Sequence, residues 1–539
     1  MRRPLLIALL TLTLKADSLQ ELGSDYWTWR ATTQPFTHDD IPRIERPSTA
    51  LPDWSPTAVD KQRQALAIFD ARWKQLKPQT VPEKVDHRLM GSALARAHWE
   101  LDIEQAWLRN PRFYVDQTVG TIFDALLQPP PITPERARLI EQRLARIPQT
   151  ITDAKQNLKP ARMVRPFAEG AIASLSDIRP RLALTPVAAP EKLEQATKAL
   201  EDYRDWLTAN LPRMDTKTAI GRDHYIHFLR NIAILPYTPE RLLDMGRQEW
   251  ERAVAFESYE QTRNRNLPPL PLSASVEAQV EREKNDERNV RTFLEDHKIL
   301  SVPLWMQHYW NAPLPSYLDE LAMGVTDDLT GPSRLKQNGV SYLRPPSLKL
   351  GYFALATARD PRPILVHEGV PGHYFQLALS WAHENPIRRH YYDSGANEGI
   401  GFYAEEMMLQ AGYFDDSPHT REIIYNFMRL RALRVEVDVK LALGLFTIPQ
   451  AAEYLTKTVP MDPATALQEA ADFASSPGQA ISYQIGKIQI MKMLAAARRT
   501  QGQGFNLKAF HDFVWKNGNV PIALQQWELL NDPSDVPVH

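Results

Sequence analysis

The sequence predicts a large, mainly α-helical protein with one small β element beside a metal-binding segment. Apolar residues recur at three- and four-residue steps through most of the 539 residues, the period of a helix with one buried face. Thr133-Pro134-Glu135 and Thr238-Pro239-Glu240 each put a capping hydroxyl and a first-turn proline at a helix start. Only two short runs, 339–343 and 348–355, are rich in β-prone residues.

In chain order, Arg2-Arg3 followed by the apolar stretch from Pro4 to Leu14 reads as an export signal occupying residues 1–16. Such a run is too short to span a bilayer, and no later run approaches the roughly 20 apolar residues a span needs. An exported protein is expected, periplasmic or extracellular, with no stable membrane anchor once the signal is removed. The absence of cysteine excludes lipid attachment through Cys, disulfides and thiol chemistry.

Helices are predicted from Ala58 to Leu76, Leu89 to Trp107, Pro134 to Ile147, Pro190 to Asn210 and Pro239 to Glu257. Trp99, Trp107 and Trp206 fall on their apolar faces and are expected in the core. No fixed repeat period is present, which argues against a solenoid. A Pro-rich stretch from Arg263 to Ser275 reads as a linker, and a charged helix follows from Val276 to His297. The two β-prone runs are expected to pair in a small sheet, whose edge either takes up an extended peptide or serves packing alone. Helices resume from Ile423 to Leu445, after Thr447, from Pro460 to Ala474, and from the Pro477-Gly478 turn to about Arg499.

The chemistry is concentrated in His367-Glu368-Gly369-Val370-Pro371-Gly372-His373. Zinc takes imidazole nitrogen and carboxylate oxygen, and a catalytic zinc site keeps three protein ligands and one open position. His367 and His373 are the candidate ligands, with Glu368 as the general base that takes a proton from the attacking water. Six residues at about 100° each would leave the second imidazole far from the first on an unbroken helix. Pro371, which has no N–H, and Gly372, which accepts unusual dihedrals, are expected to distort the turn and bring His373 back. Glu398, 25 residues after His373, opens a further helical run and is the third candidate ligand. Glu405, two turns beyond it, either orients a ligand imidazole or is a plain solvated carboxylate.

The pattern His-Glu-Gly-x-Pro-Gly-His-x-x-Gln, followed by Glu-Gly-x-x-x-Tyr-x-Glu, resembles the bacterial family catalogued as domain of unknown function 885. Asn110-Pro111-Arg112-Phe113-Tyr114, the region of Asp438 and Ser476-Pro477-Gly478-Gln479-Ala480-Ile481-Ser482-Tyr483 extend the resemblance over most of the chain. Ile400 and Ala442 depart from it, standing where many relatives carry Trp and His. That family is similar to helical zinc peptidases of the thimet oligopeptidase and thermostable carboxypeptidase kind. The resemblance implies a zincin-like fold with a deep cleft, a gluzincin ligand set of two histidines and a glutamate, and Tyr483 as donor to the oxyanion. Tyr391, Tyr392 and His390 compete for that last role. Gln479 and Arg434 are weaker candidates for supporting or substrate contacts. Arg429, Arg431 and Arg434 either face the cleft, where one would bind a substrate carboxylate, or form internal salt bridges.

A formal net charge of −2 with no basic stripe argues against nucleic acid or an anionic membrane as partner. The expected organisation is a helical half over 17–275 and a zinc-binding catalytic half over 276–539, intertwined in one body. The expected function is that of a metallopeptidase with one Zn2+ per chain acting on short or unfolded peptides, as a carboxypeptidase or an oligopeptidase. Alternatives are a zinc amidohydrolase for non-peptide or N-acyl amides and a peptide-binding protein whose site has decayed. Retention of Glu368 argues against decay, because binding alone needs no base.

Overall fold

The computed structural model describes residues 18–37, 44–321, 323, 326–459 and 461–537, so the expected export signal lies outside the described residues. Helices dominate, joined by short turns, and one three-stranded sheet accompanies them. The sequence signals sit where they were expected. Thr133 accepts the Arg136 N–H and Thr238 accepts the Arg241 N–H, starting the helices Pro134–Asn157 and Pro239–Asn264. The expected run from Leu89 to Trp107 is not one helix. Val81–His98 passes into a π-helical turn, and the chain breaks at Gln105, whose φ of 52° is left-handed, before the short helix Ala106–Arg109.

The sheet runs β1 (Tyr309–Pro313), β3 (Gly339–Leu343), β2 (Asp327–Asp328), with β1 parallel and β2 antiparallel to β3. Only the first of the two β-prone runs is a strand. Residues 348–355 instead lead into the helix Tyr352–Arg359, whose start is pinned by the Tyr352 N–H donating to Asp462 at 3.2 Å. Alternate alanines favour helix there, and the Tyr352 and Phe353 rings pack on Phe427, so local β-propensity loses to packing. The sheet does stand beside the candidate metal-binding segment: the Tyr309 ring lies against Gly369, and the Tyr374 ring against Gly339. Helix Val276–Asp296 covers the β1 edge, where Glu287 accepts the Tyr309 N–H, so that side serves packing rather than an added strand.

The two sequence halves share their cores. Leu89, Ile122, Leu144 and Leu200 pack in one cluster with Tyr391, Val520 and Leu524 from the far end of the chain. Helix Pro239–Asn264 lies along Pro418–Leu443, joining the N-terminal helices to those around the metal-binding segment. Trp99 and Trp107 are buried as expected. Among the described residues, no helix is long and apolar enough to cross a membrane.

Candidate metal centre

Leu365–Gly369 is a π-helical turn in which the Val370 N–H donates to the Leu365 carbonyl, and a fresh helix, His373–Trp381, begins after Pro371 and Gly372. The distortion expected at Pro-Gly is therefore a break between two helical pieces. Gly372 is required there because any Cβ would overlap the His367 carbonyl. The buried Trp515 indole donates to the Pro371 carbonyl at 2.6 Å and fixes the break. Helix Ser394–Gln410 supplies Glu398, and the Asn397 amide donates to Gln376 at 3.0 Å, tying this helix to the one that carries His373.

The three candidate ligands meet. His367 Nε2 lies 3.4 Å and His373 Nε2 3.3 Å from the same Glu398 oxygen, Oε2. Ligands 2.0–2.2 Å from a tetrahedral zinc stand about 3.3–3.6 Å apart, so the spacing fits that ion. The two imidazoles are edge to face at 4.6 Å. Glu368 is half buried, and one of its oxygens lies within 4.8 Å of ligand atoms of both histidines. A Cβ at Gly401 would stand 3.0 Å from both imidazoles, so the helix bearing Glu398 approaches the ligands closely only because that position is bare.

Glu405 is not solvated. It is fully buried and lies 2.7 Å from His367 Nδ1 and 2.9 Å from Arg431 Nη2. Burial first, and then the Arg431 charge, hold His367 down to about 3, so its imidazole is neutral at physiological pH. Burial raises Glu405 to about 7 against the opposing pull of Arg431. A proton on His367 Nδ1, facing Glu405, would leave the Nε2 lone pair for a metal. Glu405→Ala is accordingly expected to weaken zinc affinity about 10- to 100-fold, measurable by competition with a chromogenic chelator. An unchanged affinity would remove Glu405 from the centre.

The remaining candidates sort by place. The Tyr483 ring stacks over His367 at 6.1 Å, and the Arg434 guanidinium lies 4.6 Å from the centre of the Tyr483 ring. The Tyr391 hydroxyl is instead bonded to Ser92 at 2.8 Å, and the His390 ring lies against Trp27, whereas the Tyr483 ring stands against the candidate ligand His367. Arg434 is ion-paired with Glu469 and Arg429 with Glu257, the internal salt bridges that were the alternative to a substrate contact. Gln479 accepts the Ser394 hydroxyl at 3.0 Å, at the start of the helix that carries Glu398. Arg431 as the partner of Glu405 was missed, as was Tyr309, whose phenol is raised by burial and by the Asp327 and Glu368 carboxylates. Neither has a signal in local sequence.

The other quoted segments are supports. Asp438 accepts the Gly478 and Ala480 N–H groups and the Tyr225 hydroxyl, holding the turn that leads into helix Ser482–Gln501 and Tyr483. Asn110 caps the Arg112 N–H, and Arg112 pairs with Asp472. A cavity of about 170 Å³ has walls that include Trp99, Trp107, Phe228, Trp381, Tyr391 and Gln479, and also Leu377 from the helix that begins at His373.

A bacterial protein family of unknown function, domain of unknown function 885, matches residues 40–288 and 326–527. The chain belongs to this family. Two solved structures resemble this member of the family over nearly its whole length. A candidate lipoprotein of unknown function from Shewanella oneidensis superposes with a TM-score of 0.72 at 18% identity, covering 96% of this chain and 100% of the other. A candidate lipoprotein from Colwellia psychrerythraea gives 0.73 at 16% identity, covering 96% and 99%. At these identities the likeness is one of fold. No curated protein sequence matches the chain.

Proposed function

We propose that this protein is a zinc-dependent peptidase acting on short or unfolded peptides. The observation that carries the reading is the convergence of His367 Nε2 and His373 Nε2 on one Glu398 oxygen, with Glu368 alongside. Zinc held by His367, His373 and Glu398 would polarise the scissile carbonyl and make a water acidic enough to attack it. Glu368 would take the proton of that water and return it to the leaving amine. Tyr483, stacked on His367, would donate its hydroxyl to the oxyanion. Burial and Arg431 keep His367 neutral, and Glu405, 2.7 Å from its Nδ1, would orient it. Resemblance to the helical zinc peptidases supports a zincin-like reading of this fold, and a cleft between helices would admit extended peptides and exclude folded proteins. The description of both structural relatives as candidate lipoproteins supports an exported setting.

Zinc-loaded protein is expected to release new amino termini from an unfolded peptide mixture, to stop when 1,10-phenanthroline is added, and to resume when zinc is restored. Fully loaded protein that releases none would refute the peptidase reading.

A further inference from the structure

We propose that the aromatic cavity lined by Arg96 binds the free carboxylate end of a peptide through that residue, so that the enzyme is a carboxypeptidase preferring a large apolar terminal residue. The inference deepens the peptidase reading and depends on it for the cleavage step, though not for the binding.

Arg96 stands in the last turn of helix Val81–His98, half buried, and lines the cavity with Trp99, Phe228 and Tyr391. Its neighbours among the arginines are engaged. Arg30 pairs with Glu100 at 2.9 Å, and Arg389 donates to the His383 carbonyl. Among the described residues the Arg96 guanidinium makes no hydrogen bond or ion pair, and its attested contact is the face of Phe228, 5.8 Å away. A guanidinium drawn away from water without an acid partner is costly, and an anionic ligand offsets that cost. Asp393 lines the same crevice and feels the Arg96 charge, but its hydrogen bond goes to the Ala396 N–H at 2.8 Å, capping the helix bearing Glu398.

Arg96 also lines a small crevice with Ser394, Gly395, Ser482 and Gly486. This places it at the start of the helix that presents Glu398 one turn later, a rise of about 6 Å. Gln479 adds a second donor on the same wall, since its Nε2 is buried and has no protein partner among the described residues. A planar guanidinium matches a carboxylate with two parallel hydrogen bonds, and the aromatic wall suits an apolar terminal side chain.

The test uses zinc-loaded full-length protein carrying Glu368→Gln, so that binding is read without turnover. N-benzoyl-glycyl-phenylalanine and its C-terminal amide are titrated by calorimetry. The acid is expected to bind about 10- to 100-fold more tightly than the amide. Adding Arg96→Met should erase that preference with the amide affinity unchanged, and Arg96→Lys should keep part of it. Equal affinity for acid and amide, no binding of either, or a preference that survives Arg96→Met would overturn the proposal. Preferential binding of the acid by protein that never cleaves it would instead leave this inference standing and remove the peptidase reading.

Discussion

Glu368→Gln is expected to leave about one zinc per chain bound while lowering peptide hydrolysis by about 10²- to 10⁴-fold. The substitution keeps the size of the side chain and removes only its capacity to take a proton. Glu368 is the least buried of the clustered groups, and both ligand imidazoles and Glu398 meet without its help. Metal content and rate should therefore separate in this variant. In His367→Ala they should fall together, because a ligand is gone. Activity of the Glu368→Gln protein within tenfold of wild type would show that another group is the base.

A second large effect is expected at Gly486. Helices Ser394–Gln410 and Ser482–Gln501 cross with glycine against glycine, and a Cβ at Gly486 would overlap the Gly395 carbonyl and stand 2.7 Å from the Gly399 Cα. The obstacles are backbone, so no rotamer change relieves them. Gly486→Ala should cost about 3 kcal/mol, by analogy with overpacked cores. It should also weaken zinc binding, because separating the helices moves Glu398 away from His367 and Tyr483. Gly170→Ala is the control. Nothing lies within 4 Å of a Cβ at Gly170, which sits inside helix Arg165–Ser174, and that change should be neutral or slightly stabilising. Chemical denaturation reads both, and equal midpoints for the two variants would contradict the close crossing.

What was legible in the sequence was local. Thr133 and Thr238 cap the helices they announce, and the six-residue step between His367 and His373 demanded a break where Pro371 and Gly372 stand. The ligand trio followed because its members lie on two neighbouring segments with recognisable donor chemistry. What depended on distant partners was hidden. β1 pairs with β3 across a 30-residue step in register, and nothing in Tyr309–Pro313 alone distinguishes it from an aromatic loop. Residues 348–355 look like a strand until Asp462 and Phe427 are brought to them. Arg431 is one of several charges on its helix, and only the packing of Pro418–Leu443 beside Ser394–Gln410 selects it as the partner of Glu405. The cavity draws its walls from several separated stretches, so tryptophans that read as core turn out to be both buried and cavity-lining.

The measurement that bears most directly on the metal centre is metal content by mass spectrometry on purified, zinc-reconstituted protein, comparing wild type with His367→Ala and Glu398→Ala. About one zinc per wild-type chain, lost in both variants while their helical circular dichroism is kept, is the expected result. No zinc in wild type after reconstitution, or full zinc retained in Glu398→Ala, would contradict it.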